Sequence, residues 1–166
     1  MKKELPQILD LPSNGIYTLI LFLSREIDLK IGKLGEKKFQ KGYYIYTGSA
    51  LGKGSTNLRY RIARHLRKKK RNFWHIDYLL ANDNMCVEAV IAAETNEDIE
   101  CTINNHIKKI RGAKIQVKCF GASDCRKNCG SHLLYFPKIK KADFLVQKLI
   151  ELLKSSSGVR SVCVIN

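Results

Sequence analysis

Apolar and polar positions along the chain follow two periods. Gly15–Leu23, GIYTLILFL, is almost continuously apolar over nine residues, which predicts a strand buried on both faces. Glu26–Gln40 is polar, with Leu29-Lys30-Ile31 alternating and glycines at 32 and 35, and reads as a hairpin. Tyr43, Tyr44, Ile45 and Tyr46 suit a pleated surface, so Gly42–Tyr46 reads as a second strand, breaking at Gly48. Met85–Ala93 and His132–Phe136 read as further strands, with Lys114–Lys118 as a candidate and Val159–Ile165 as a short last one. Helical spacing appears at Leu58, Ile62 and Leu66, in a helix starting near Asn57 that Ser55 or Thr56 can cap. Phe73–Leu80 reads as a short amphipathic helix. Ile99, Ile103, Ile107 and Ile110 repeat behind Thr95-x-x-Asp98, a capping-box pattern. Phe144, Leu145, Leu149, Leu152 and Leu153 give Lys141–Lys154 an apolar face. Pro6 and Pro12 are expected to keep residues 1–14 extended, and 119–131 reads as a loop.

Mixed strands and helices imply an α+β fold, a small, mostly antiparallel sheet flanked by helices with a C-terminal helix and strand. The 166 residues suffice for one domain over 1–166, and no linker divides them.

Charge then narrows the function. Thirty Lys and Arg against fifteen Asp and Glu leave a net charge of +15, the footprint of a polyanion binder. Eight of the thirteen residues from Arg59 to Arg71 are Lys or Arg. Lys53, Arg59, Arg64, Arg67, Lys68, Lys69, Lys70 and Arg71 are the candidate phosphate contacts, beside a loop opened by Gly52 and Gly54. Arg61, His65 and Lys68 follow one edge of the helix. Strand, glycine loop and basic helix together aim N–H groups and cations at one place, as anion sites do. Nucleic acid is the expected partner; association with a ribosome or a membrane surface, or plain solubility, is the alternative reading of the charge. No secretory h-region follows Met1, Lys2 and Lys3, and no apolar run is long enough to span a membrane. Six cysteines in such a chain read as reduced thiols or metal ligands, which places the protein in the cytoplasm.

The motifs resemble those of the GIY-YIG nuclease superfamily. Gly15-Ile16-Tyr17 is similar to its first signature, and Tyr46-Thr47-Gly48 stands where the second belongs. Asn57, Leu58, Arg61 and His65 resemble the family's arginine-bearing helix, and Glu100 matches the glutamate of its later helix. Over 15–136 the likeness is to an uncharacterised prokaryotic subfamily, found alone or attached to endonuclease III. It rests on Gly42–Ala50, Trp74-His75-Ile76-Asp77-Tyr78, and Ser123-Asp124-Cys125 before Ser131-His132-Leu133. Two features depart from the superfamily pattern: 28 residues separate Tyr17 from Tyr46, and Thr47 replaces an aliphatic residue.

The resemblance implies a metal-dependent endonuclease acting on DNA in preference to RNA, with a repair protein as a candidate partner. It implies Tyr17, Tyr46, Arg61, His65 and Glu100 as catalytic residues, with one Mg²⁺ or Mn²⁺ on Glu100, a hard ligand for a hard ion. Arg61 would stabilise phosphoryl charge through its planar fork. A tyrosine would orient or deprotonate water if nearby cations lowered its pKa, and His65 would assist with a pKa near working pH. The rival is a non-catalytic nucleic-acid-binding or repair-accessory module on the same fold. Taken singly, the tyrosines read as strand aromatics, Arg61 and His65 as a solvated helix face, and Glu100 as a helix-end charge.

Cys119, Cys125, Cys129 and His132 supply enough soft ligands for zinc. The three residues between Cys125 and Cys129 differ from the two of a zinc knuckle, so buried thiols beside a hydrogen-bonded histidine are the leading expectation. His75 and Asp77 remain open between a supporting pair and a nucleic-acid contact.

Overall fold

The computed structural model describes residues 8–166. The expected extended lead-in over 1–14 lies partly outside them, Pro6 included. Within them Leu11 is buried in the core, and its carbonyl accepts from Arg59 Nε.

Five strands form one antiparallel sheet: β1 (Gly15–Leu23), β4 (Gly42–Ala50), β5 (Met85–Glu94), β6 (Leu133–Phe136) and β7 (Ser161–Ile165). Their order is β6-β4-β1-β5-β7, with β1 at the centre. β2 (Ile27–Lys30) and β3 (Glu36–Phe39) make the separate hairpin expected over 26–40. Side chains alternate across a strand, and β1 needs apolar residues on both faces because both are covered. Tyr17, Leu19, Leu21 and Leu23 face a core closed by helices α1 (Leu58–Leu66) and α2 (His75–Leu80) and by the hairpin's Phe39. Ile16 and Ile20 face a second core closed by α3 (Glu100–Lys108) and α4 (Ala142–Lys154) through Ile103, Ile107, Leu145, Leu149 and Leu153. Each such side chain contributes about 1.5–3 kcal/mol on burial.

Six local expectations change. Gly48 does not break β4, which runs on to Ala50 and pairs with β1 throughout, Tyr17 opposite Gly48. The basic helix ends at Leu66, the last apolar residue of its stripe, because the cations that follow have no face to bury. Lys68 therefore leaves the helix edge shared by Arg61 and His65. The α1 cap is Asn57, whose side chain accepts from the Tyr60 N–H at 3.1 Å, and not Ser55 or Thr56. Thr95 caps no helix: its hydroxyl accepts from the Glu97 N–H in a turn, and α3 starts at Glu100. Lys114–Lys118 contributes one bridge to Tyr135 and no strand, and Phe144 is exposed. No helix among the described residues is long and apolar enough to cross a membrane.

Gly48 has a steric reason for its identity. A Cβ there would sit 2.4 Å from the Tyr17 hydroxyl oxygen, on a ring that is fully buried. Gly48→Ala is expected to destabilise the protein by about 1–3 kcal/mol, the usual range for overpacking. A denaturant melt within 0.5 kcal/mol of wild type, by roughly the scatter of harmless substitutions, would mean that the Tyr17 ring is not seated against Gly48.

Candidate functional site

The β1–β4 register sets the site. Tyr17 and Tyr46 point to the same face of the sheet, with ring centroids 6.5 Å apart. Helix α1 crosses that face and turns Arg61 and His65, one turn apart, toward the tyrosines. The Tyr17 hydroxyl lies 2.7 Å from His65 Nε2. Arg61 Nη1 donates to the Ser49 carbonyl at 2.7 Å, and its guanidinium lies 4.8 Å from the Trp74 ring centre. Glu100 arrives from the opposite face as the first residue of α3. The Ser49 hydroxyl donates to Glu100 Oε2 at 2.6 Å, so Ser49 joins Arg61 to Glu100 across the end of β4.

Tyr17, Tyr46, Ser49, Arg61, Glu100 and Asp124 line one cavity of about 170 Å³. His65 lies behind Tyr17 and reaches the cavity only through the phenol. A larger groove of about 520 Å³ runs past Leu66, Lys68, Leu80 and Val87, but no comparable set of polar groups converges there.

Burial governs the protonation states. It pushes the Tyr17 phenol well above its ordinary pKa, with Tyr46 adding to the shift and Arg61 opposing it. Burial and the Glu100 charge also raise Tyr46 against the pull of Arg61. The cations therefore do not bring either phenol below its usual range. Burial, then Lys70, Arg61 and Arg64, lower the His65 imidazole to about 3. At neutral pH the resting pair is a neutral phenol and a neutral imidazole sharing one hydrogen bond, and the imidazole Nδ1 has no partner among the described residues. Burial works against the Glu100 carboxylate, but His132, Ser49 and Arg61 outweigh it and hold its pKa below the ordinary value.

The family described as Domain of unknown function DUF123 matches residues 16–155, most of the chain. The chain belongs to this family. No curated protein and no solved structure matches it. The DUF123 match contains every residue of the cavity.

Asp77 answers the open question in the Trp74–Tyr78 motif. It is fully buried in the DUF123 chain, and Oδ2 accepts from the backbone N–H groups of Phe73 and Trp74, each at 2.9 Å, and from Arg64 Nη2 at 2.7 Å. Asp77 thus caps α2 and holds Arg64, whose guanidinium also lies 4.8 Å from the Trp74 ring centre. His75 Nδ1 accepts from the Gly121 N–H at 3.0 Å and anchors the cysteine loop. Of the candidate phosphate contacts, Arg59 and Arg64 are committed to internal partners. Lys70 is half-buried and donates to the carbonyls of His65 and Arg67, while Lys68 donates to that of Met85. Lys53, Arg67, Lys69 and Arg71 are exposed and form no ion pair with another described residue.

A second cluster lies behind Glu100. Ligand atoms of Cys101, Cys125, Cys129 and His132 all lie within 4.8 Å of one another and can hold a metal ion. Three thiols and an imidazole fit zinc better than Mg²⁺ or Mn²⁺. Cys119 is not in the cluster; it is exposed, and Cys101 of α3 takes the place expected for it. Burial would raise the Cys125 thiol, but backbone N–H groups of Cys129 and Lys127 outweigh it and bring the pKa down to about 6. Ser49, Trp74, Asp124 and Cys101 had no expected role in the site. Ser49, Trp74 and Asp124 lie inside motifs that pointed to them; Cys101 had only its place beside Glu100.

The His65 shift has a measurable sign. Between pH about 6.5 and about 3 the unfolded imidazole takes up a proton that the folded one refuses, so stability falls as pH drops through this window. His65→Gln is expected to lose that share of the slope, at most about 1.4 kcal/mol per pH unit for one proton. Denaturant melts at several pH values measure it; equal slopes for the two proteins would contradict a buried neutral His65.

Proposed function

We propose that this DUF123 chain is a metal-dependent endonuclease-like domain of the GIY-YIG type that hydrolyses phosphodiester bonds in DNA. The observation that carries the reading is that Tyr17, Tyr46, Arg61 and Glu100 line one cavity, with His65 hydrogen-bonded to Tyr17 from behind. Phosphodiester hydrolysis needs an acceptor for the water's proton, cations at the phosphoryl oxygens and help for the leaving oxygen.

The residues can share these tasks. Tyr17 orients the attacking water, and the contact with His65 Nε2 fixes the direction of its hydroxyl. Tyr46 holds the water from β4. Arg61 offers its planar fork to the phosphoryl oxygens beside Ser49 and Trp74. Glu100 stays ionised and, with Asp124, presents an all-oxygen donor set to the cavity. Such donors fit Mg²⁺ or Mn²⁺, which when bound would polarise the phosphate and neutralise charge on the leaving oxygen. Arg67, Lys69, Arg71 and Lys53 supply the exposed cations that hold a phosphate backbone. Phe73, 76% exposed beside the cleft, suits stacking on an unpaired base.

The second reading is a nucleic-acid-binding module without catalysis, serving a repair enzyme as an accessory. It is favoured by the raised tyrosine pKa values and by the engagement of Arg61 with the Ser49 carbonyl.

Nicking of supercoiled and branched DNA in Mg²⁺ or Mn²⁺ separates the two. The enzyme reading expects cleavage by wild type, none by Glu100→Gln with binding retained, and a loss of about 10²-fold or more for Arg61→Ala. Binding without cleavage on every substrate would leave only the accessory module. Binding itself is tested by replacing Arg67, Lys69 and Arg71 with Ala together. If each meets a phosphate of duplex DNA, the slope of log affinity against log salt should fall in magnitude by up to about 3. An unchanged slope removes this segment from the interface.

A further inference from the structure

We propose that Cys101, Cys125, Cys129 and His132 bind one structural zinc ion, and that Glu100 orients this site through His132. Zinc–sulfur bonds of about 2.3 Å in a tetrahedron place the ligand atoms roughly 3.8 Å apart. The Cys101 and Cys125 sulfurs are 3.4 Å apart, and Cys101 Sγ lies 3.8 Å from His132 Nε2. The second equals this edge, the first is shorter than it, and all four ligand atoms lie within 4.8 Å of one another. Four protein ligands fill the shell and leave no position for a substrate, which makes the site structural.

The chain brings these ligands together from three separate elements. Cys101 comes from the first turn of α3, Cys125 and Cys129 from the loop, and His132 from the residue before β6. Asn128 and Gly130, with φ of 53° and 79°, bend the backbone on either side of Cys129. Lys108 Nζ donates to the Cys129 carbonyl at 2.7 Å, and Asn104 Nδ2 to the Ser131 carbonyl at 2.8 Å, so α3 grips the loop on both sides of Gly130. The Cys119 N–H donates to the Gly130 carbonyl, which closes the loop and leaves the Cys119 thiol outside it.

His132 turns its two nitrogens to two different tasks. Nε2 faces the thiols, and Nδ1 lies 2.6 Å from Glu100 Oε1. The Nδ1 contact is short but off the line of a good hydrogen bond. A carboxylate on the far nitrogen fixes the ring of a zinc-bound histidine and strengthens it as a ligand. The same carboxylate accepts from Ser49 through its other oxygen. The ion therefore fixes the wall of the cavity from which Glu100 projects. This inference stands on the cluster's geometry and does not require that the cavity cleave DNA.

A disulfide between Cys101 and Cys125 is the rival. It would give no role to Cys129 or to the imidazole that close the same shell.

The test is metal content and cobalt spectroscopy on the full chain. Purified protein is expected to hold one equivalent of zinc. Cobalt added to metal-free protein should give the thiolate charge-transfer and d–d bands of a tetrahedral three-thiolate site. Cys101→Ser should lose the zinc and these bands, while Cys119→Ser keeps both. Glu100→Gln should keep the stoichiometry but weaken zinc affinity by about 10–100-fold in a chelator competition. If Cys101→Ser fails to fold, alkylation of wild type decides: Cys101, Cys125 and Cys129 should be protected until a chelator is added, while Cys86 and Cys119 react throughout. Zinc-free protein with a mapped Cys101–Cys125 disulfide, retention of the bands in folded Cys101→Ser, or thiols that alkylate equally with and without chelator would overturn the site. Unchanged zinc affinity in Glu100→Gln would overturn the role of Glu100.

Discussion

Each oxygen of the Glu100 carboxylate meets a different part of the molecule. Oε1 lies against His132 and, through it, the cysteine cluster; Oε2 accepts from Ser49, whose carbonyl holds Arg61. Helices on opposite faces of the sheet, α1 and α3, are thereby joined through the end of one strand. A half-buried carboxylate without these partners would be driven toward its neutral form. With them it stays charged in a cavity whose tyrosines stay neutral, which divides the roles before any ligand arrives. Arg61 depends on the same connection, because the Ser49 carbonyl and the Trp74 ring fix the direction of its fork.

Joining the two faces requires strand β4 to remain intact beyond Tyr46. Here glycine acts against its usual association with breaks. Gly48 stays in the ladder and gives up its side chain so that the Tyr17 ring can occupy the space. The alternation of β4 then sends Tyr46 to one face and Ser49 to the other.

The fold was legible wherever apolar pattern reports burial. The uninterrupted GIYTLILFL run is apolar because helices cover both faces of β1, and the isoleucines of α3 repeat because they seat on that sheet. Element ends were harder to read, since they are set by partners distant in sequence. Thr95 resembles a helix cap but closes a turn, and the cations after Leu66 continue the composition of α1 without its buried stripe. The candidate site was legible through its motif residues, yet the links among them were not. Ser49 acts as much through its carbonyl as through its hydroxyl, and a carbonyl carries no residue identity. Cys101 lies 24 residues before Cys125, and only the packing of the loop on α3 makes them neighbours. The protonation states were not legible for a related reason: cations are counted from sequence, whereas the burial that outweighs them is a property of the packed fold.

The central claim is that Glu100 stands between two metal environments, soft donors behind it and oxygen donors in front. Anomalous diffraction from crystals soaked in Mn²⁺, collected at the zinc and manganese edges, tests it most directly. The account predicts a zinc peak among Cys101, Cys125, Cys129 and His132 and a separate manganese peak in the cavity within ligand distance of Glu100. Manganese bound elsewhere while the cavity stays free of it, or a single ion shared by Glu100 and the thiols, would contradict the account.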